Sequence, residues 1–260
     1  MCQILGMSFN TEVGFNHTLP EFKELSKLNP DGWGLSVYPD GQCTIEKDSL
    51  SMMKSPKALN LIARSDLKSK LLLAHVRNKN NSIINDENCH PFHCEYQNKT
   101  YSYVHNCYLI NNMRKDYIIA NRITPRHFHP ISTNQAEKIF CYIMDELKEN
   151  QIIDWNHDSF EFLNQTFNNI NNNRLLNAIM SNGEYLFVYL SDLGYGIYAV
   201  QRNINTKEIK MNKTKTTHHF DSSFDHEEGW LFCTSKLTDE NWIQLENAKL
   251  HVYKDGQKVY

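Results

Sequence analysis

Apolar and polar residues alternate over residues 3–9 (Gln-Ile-Leu-Gly-Met-Ser-Phe), and again over 33–38, 92–96 and 101–105. This period of two is the mark of strands with two differently buried faces. Residues 185–190, 195–202, 230–234 and 249–253 also read as strands, and 70–77 is an apolar run suited to a strand buried on both sides. A different period governs the middle of the chain. Ala136, Ile139, Phe140, Ile143, Met144 and Leu147 recur at helical spacing. Asn134 with Glu137 three residues on forms an asparagine variant of the capping box, which predicts a helix over 135–149.

Punctuation residues divide the remainder. Pro20 in a first turn predicts a helix over 20–28, ended by the turn Asn29-Pro30-Asp31-Gly32. Pro39-Asp40-Gly41 turns the strand at 33–38 into a second one near 43–46, and Ser55-Pro56 opens a helix to about residue 64. Turns are expected at 97–100, 191–194 and 221–229, and a long polar loop at 78–88. One or two helices are expected over 158–180, interrupted by the asparagine-rich stretch 168–173, which reflects composition and receives no function. No internal repeat and no linker are visible. Strands, then helices, then strands predict a single α+β domain over 1–260, with sheets packed between helix layers.

Composition narrows the functional classes. The chain has 260 residues, 40% of them hydrophobic, enough for a sizeable core. A formal net charge of -3 argues against nucleic acid or an anionic membrane as partner. No run approaches the length of a membrane span, and the start lacks the basic and apolar regions of a signal peptide, so a cytoplasmic protein is expected. The seven cysteines are an odd count, scattered along the chain, and are expected to be reduced.

One of those cysteines stands at position 2. Removal of Met1 would make Cys2 the N-terminus, uniting a strong nucleophile with an α-amine whose pKa of about 8 suits a base at neutral pH. Arg77 ends the buried strand and is suited to bidentate capture of a carboxylate. Asn106, just past the strand at 101–105, offers an amide donor for a developing oxyanion. Cys89, His90, His93 and Cys94 form a Cys-His-x-x-His-Cys pattern that could be read as a zinc site. Adjacent strand residues point to opposite faces and Pro91 favours a rigid turn, so no metal or other cofactor is expected.

Five ordered motifs then carry a resemblance: Met1-Cys2-Gln3-Ile4-Leu5-Gly6-Met7, Pro30-Asp31-Gly32-Trp33-Gly34, Ala74-His75-Val76-Arg77, Asn88-Cys89-His90-Pro91-Phe92 and His105-Asn106. Together with 136–140 and 237–242 they resemble the class II glutamine amidotransferases, in the compact stand-alone branch related to γ-glutamyl hydrolases. The resemblance implies an N-terminal nucleophile hydrolase fold, a four-layer αββα sandwich. It makes Cys2 the nucleophile and its amine the base, with Arg77 on the substrate α-carboxylate. Asn106 and the N–H of Cys107 would receive the oxyanion, Gly32 and Trp33 would line the pocket, and His90 would help to shape it.

The chain departs from the family pattern twice. Cys107 stands where the family reads glycine after His-Asn, and Gln135 stands where an aspartate pairs with the substrate ammonium. Free glutamine is therefore expected to be a poor substrate. The implied partner is a small-molecule γ-glutamyl compound. No attached synthetase domain is expected, which favours hydrolysis over delivery of ammonia to a separate acceptor subunit. The contrasting reading is a catalytically impaired relative used as a binding or regulatory module.

Overall fold

The alternating segments pair antiparallel into two sheets, each covered on its outer face by helices. The computed structural model describes the chain apart from residues 1, 80–82, 108, 111–112, 115–118, 172–175, 192–195, 204–205, 207 and 220–226; for 107, 109–110 and 113–114 it describes the backbone alone. The strands are β1 (Gln3–Gly14), β2 (Trp33–Val37), β3 (Thr44–Asp48), β4 (Lys68–Val76), β5 (Phe92–Tyr96), β6 (Lys99–Cys107), β7 (Leu109–Ile110), β8 (Met113–Arg114) and β9 (Leu176–Ser181). They continue with β10 (Tyr185–Leu190), β11 (Tyr198–Arg202), β12 (Glu208–Lys210), β13 (Thr217–His219), β14 (Gly229–Cys233), β15 (Ile243–Gln244), β16 (Lys249–Lys254) and β17 (Gln257–Lys258). Four helices matter here: α1 (Thr18–Glu24), α2 (Pro56–Ala63), α3 (Gln135–Glu149) and α4 (His157–Asn171).

The first sheet has the order β15-β11-β14-β1-β4-β2-β3 and the second β17-β16-β10-β9-β6-β5. Strand alternation sorts the buried side chains into three clusters, one for each interface between four layers. Leu5, Met7 and Phe9 of β1 pack with Leu19 and Phe22 of α1 and with Ala58 and Leu61 of α2. Ile4 of β1, Leu71 and Leu73 of β4, Val104 of β6 and Ile179 of β9 meet between the sheets. Tyr103, Ala178 and Phe187 face Ile139, Phe140 and Ile143 of α3 and Leu163 and Phe167 of α4. The sheets approach so closely that a Cβ at Gly6 would lie 2.9 Å from Ile179 Cδ1. At one end, polar groups replace methyls in this inner layer: the Tyr38 hydroxyl lies 2.7 Å from Ser102 Oγ and donates to Ser181 O at 3.1 Å.

Most predicted elements recur, with informative differences. Asn134 caps α3 by accepting from Ala136 N–H at 3.1 Å, and Ser55 caps α2 by accepting from Ala58 N–H at 3.2 Å. The turn at 97–100 is shorter than expected. Only Gln97 and Asn98 separate β5 from β6, both left-handed at φ 53° and 59°, as a tight hairpin that follows the strand twist requires. The helical expectation for 158–180 is corrected, because Leu176–Ser181 is strand β9 in the middle of the second sheet. All six of its residues are buried, so no polar alternation marks it. Residues 192–194 and 221–226 of the two later turns lie outside the described residues. No described helix is long and apolar enough to cross a membrane.

Candidate active site

Strand register gathers the predicted residues at one edge of the sandwich. Gln3 pairs with Val76, and Val76 pairs in turn with Trp33. One step beyond these pairs, Cys2, Arg77 and Gly32 therefore end three adjacent strands. Arg77 N–H donates to Gly32 O at 2.8 Å, and Asp31 N–H donates to Arg77 O at 3.0 Å. Cys2 continues the inward-facing parity of Ile4 and Gly6, and the thiol is half-buried. Its Sγ accepts from Asn78 N–H at 3.2 Å and lies 3.5 Å from Asn78 O.

The second sheet supplies the facing group. Ser102 and Val104 of β6 point inward, so Asn106 does too, and its Nδ2 donates to Cys2 O at 3.3 Å across the two sheets. The Arg77 guanidinium is buried, donating from Nη2 to Ile83 O at 2.8 Å and from Nη1 to Asp31 O at 3.4 Å. A half-buried thiol, an amide donor and an anchored guanidinium thus share one edge of the sandwich. This is the set needed to attack a carbonyl, receive its oxygen and hold a carboxylate.

The segment around His90 closes one wall by close backbone packing. Gly32 sits at φ +127°, and a Cβ there would lie 2.4 Å from Cys89 Sγ, so both its conformation and its space demand glycine. A Cβ at Gly34 would meet His90 O at 2.1 Å. The His90 ring lies tilted, its centroid 4.1 Å from that of His75, 4.6 Å from that of Phe92 and 5.4 Å from that of His105. Lys47 Nζ donates to Cys89 O at 3.2 Å, and burial lowers the pKa of this ammonium. The helix bearing Gln135 is tied to the same segment. Asn134 Nδ2 donates to Asn88 O at 2.9 Å, and Thr133 Oγ1 donates to Asn88 Oδ1 at 3.1 Å. Gln135 itself is half-buried at the first position of α3.

A family model described as glutamine amidotransferases class-II matches residues 1–260. The chain belongs to the class II glutamine amidotransferases. It is 29% identical over 262 residues to a Methanocaldococcus jannaschii protein described as uncharacterized, covering all of this chain and 71% of that one. A Haemophilus influenzae protein provisionally named a glutamine amidotransferase is 26% identical over 267 residues, covering all of this chain and 86% of that one. A Pseudomonas aeruginosa crystal structure titled as a predicted glutamine amidotransferase superposes with a TM-score of 0.70 at 19% identity, over the whole of both chains. The fold is the αββα sandwich of the N-terminal nucleophile hydrolases.

Within this class II glutamine amidotransferase, two of the expected residues stand differently from the rest. Trp33 does not turn its side chain toward Cys2. Alternation in β2 sends it, with Leu35 and Val37, into the outer core against α1 and α2, which leaves the backbone of Trp33 as the part that could line the pocket. Cys107 ends β6 opposite Leu176, but its side chain lies outside the described residues. The Cys-His-x-x-His-Cys pattern is spread over separate environments. Cys89 is buried beside Gly32, Cys94 packs against the core under α3, and His93 is exposed.

Other residues of the site carried no sequence signal. Asn78 contributes backbone atoms to Cys2, which any residue could supply. Thr234 and Ser235 hold the start of β1 through Gln3 Oε1, each donating at 2.7 Å, and only the β1–β14 register brings them there.

Proposed function

We propose that the chain is a cysteine-nucleophile amidohydrolase of the cytoplasm that cleaves the γ-glutamyl amide bond of a γ-glutamyl compound, releasing glutamate and ammonia or an amine. The observation that carries this reading is the bridge from Asn106 Nδ2 to Cys2 O at 3.3 Å, which sets an amide donor beside a half-buried thiol. With Met1 removed, the Cys2 amine takes the thiol proton and the sulfur attacks the γ-carbonyl carbon. Asn106 and the N–H of Cys107 receive the negative charge that develops on oxygen. Collapse expels the amine, protonated by the Cys2 ammonium, and leaves a thioester on Cys2. Water, deprotonated by the same amine, then releases glutamate and restores the thiol. Arg77 holds the α-carboxylate throughout, in a wall built by Gly32 and His90.

An intact-mass measurement tests the mechanism. The mature protein is expected to lack Met1 and to gain one adduct, on Cys2, from a thiol-alkylating glutamine analogue. Retained Met1 in protein that turns over substrate refutes the amine as base.

Gln135 bears on substrate choice. A charge-assisted hydrogen bond contributes about 1.5–3 kcal/mol against about 1 for a neutral one, so Gln135→Asp is expected to raise kcat/KM for free glutamine roughly two- to thirtyfold. Assays of both proteins with glutamine and a γ-glutamyl dipeptide decide it. An unchanged preference removes Gln135 from the ammonium site.

A further inference from the structure

The face of β1 turned away from Cys2 floors a cavity of about 240 Å³. Met7, Phe9 and Val13 form its apolar base, while His17, Lys68, Arg202 and Glu227 stand in its walls. Pockets for drug-sized ligands run to about 300–1,000 Å³, so this one has the size of a small metabolite. Its shape depends on Gly229, which pairs with Phe9 on one side and Arg202 on the other. A Cβ at Gly229 would lie 2.4 Å from Phe9 Cγ, so glycine lets the phenyl ring lie over this strand.

The polar groups are of both signs, and Arg202 is fixed by its partner. Arg202 donates to Glu240 from Nη2 at 2.8 Å and from Nε at 3.1 Å, and Glu240 also accepts from Thr238 Oγ1 at 2.6 Å. The Arg202–Glu240 pair is largely buried, at 13% and 11% side-chain exposure, so the guanidinium is held in place. Its Nη1 makes no hydrogen bond among the described residues. Glu227 is another lining residue: burial raises its carboxyl above the usual range while Lys68 draws it back. An ammonium beside Glu227 would favour its ionised form. His17 is lowered by burial and by the neighbouring His218 and Arg202, which keeps the imidazole neutral at neutral pH.

We propose that this cavity binds a small zwitterion with an apolar body, the chemistry of an apolar α-amino acid. Its carboxylate meets Arg202, its ammonium meets Glu227, and its side chain lies on Met7, Phe9 and Val13. A simple anion or cation would meet only one of these two groups, Arg202 or Glu227. The binding claim is independent of the reaction assigned to Cys2, because the two sites occupy opposite faces of the first sheet.

Calorimetric titration of the full chain with L-leucine tests it, using 4-methylvalerate and isoamylamine as analogues lacking one charge each. Leucine is expected to bind at one site, and each analogue at least about tenfold more weakly, as loss of one charge-assisted contact implies. Glu227→Gln is expected to weaken leucine but not 4-methylvalerate, and Arg202→Gln to weaken leucine but not isoamylamine. Cys2→Ala should bind leucine as the wild type does. Circular dichroism establishes that each variant is folded, and the half-exposed Glu227 provides a test even if Arg202→Gln unfolds. No leucine binding up to about 10 mM, equal affinity in both wall variants, or binding lost with Cys2→Ala overturns the proposal.

Discussion

Cys2→Ala is expected to lower glutamate release from a γ-glutamyl substrate by about 10⁴-fold or more while leaving the melting temperature nearly unchanged. The loss is large because no other described thiol can take over. Burial pushes Cys89 and Cys43 up to about 11 and Cys141 and Cys233 up to about 12, so each is almost wholly protonated at neutral pH. Cys94 is raised still further by burial. The stability effect is small because, among the described residues, Cys2 Sγ hydrogen-bonds only the Asn78 backbone, at 3.2 and 3.5 Å, and sulfur bonds weakly. Stopped assays of glutamate with thermal melts of both proteins measure the two effects. Turnover within tenfold of wild type would mean that Cys2 is not the nucleophile.

Gly34→Ala is expected to destabilise the fold by about 3 kcal/mol, which in a chain of this size lowers the melting temperature by roughly 6–12 °C. The added Cβ would lie 2.1 Å from His90 O, 2.7 Å from Lys47 Cβ and 3.1 Å from Glu46 O. Two of these neighbours are backbone and cannot swing away, so the 88–91 segment must lift off β2. The displacement reaches His90, whose ring packs on His75, and activity is expected to fall with stability. Gly14→Ala is the matched control, since a Cβ there meets nothing within 4 Å. Equal melting temperatures for the two variants would contradict the close approach of β2 and His90.

The sequence carried the layers better than the site. Ile4 and Leu5 already belong to different faces by alternation, and the structure assigns them to different interfaces. The limits of α3 were legible because the Asn134 cap and the apolar spacing agree. β9 was not, since a strand buried on both faces shows no polar period and Leu-Asn-Ala-Ile-Met-Ser contains helix-forming types. β1 extends beyond residue 9 through Asn10, Thr11 and Glu12, polar residues at a register shift that lie past the alternating stretch. For the site, residue types were readable and their company was not. Trp33 alternates with Leu35 and Val37, so its outward burial was implicit in the same pattern that predicted the strand. The neighbourhood of Cys2, Arg77 and Gly32 needed two strand registers that no local pattern encodes, and the cavity beneath Phe9 depends on pairings across the whole chain.

The place of β1 between β4 and β14 has a consequence during synthesis. One edge of β1 can pair once β4 is made, about 60 residues later, whereas the other must wait about 220 residues for Gly229–Cys233. At translation rates of about 5–20 residues per second, the row of N–H and C=O groups from Leu5 to Phe9 stays without its β14 partner for about 10–45 s. An open apolar edge of this kind is a template for pairing with other nascent chains. A chain cut short before Gly229 therefore keeps the β14 edge of its first strand open.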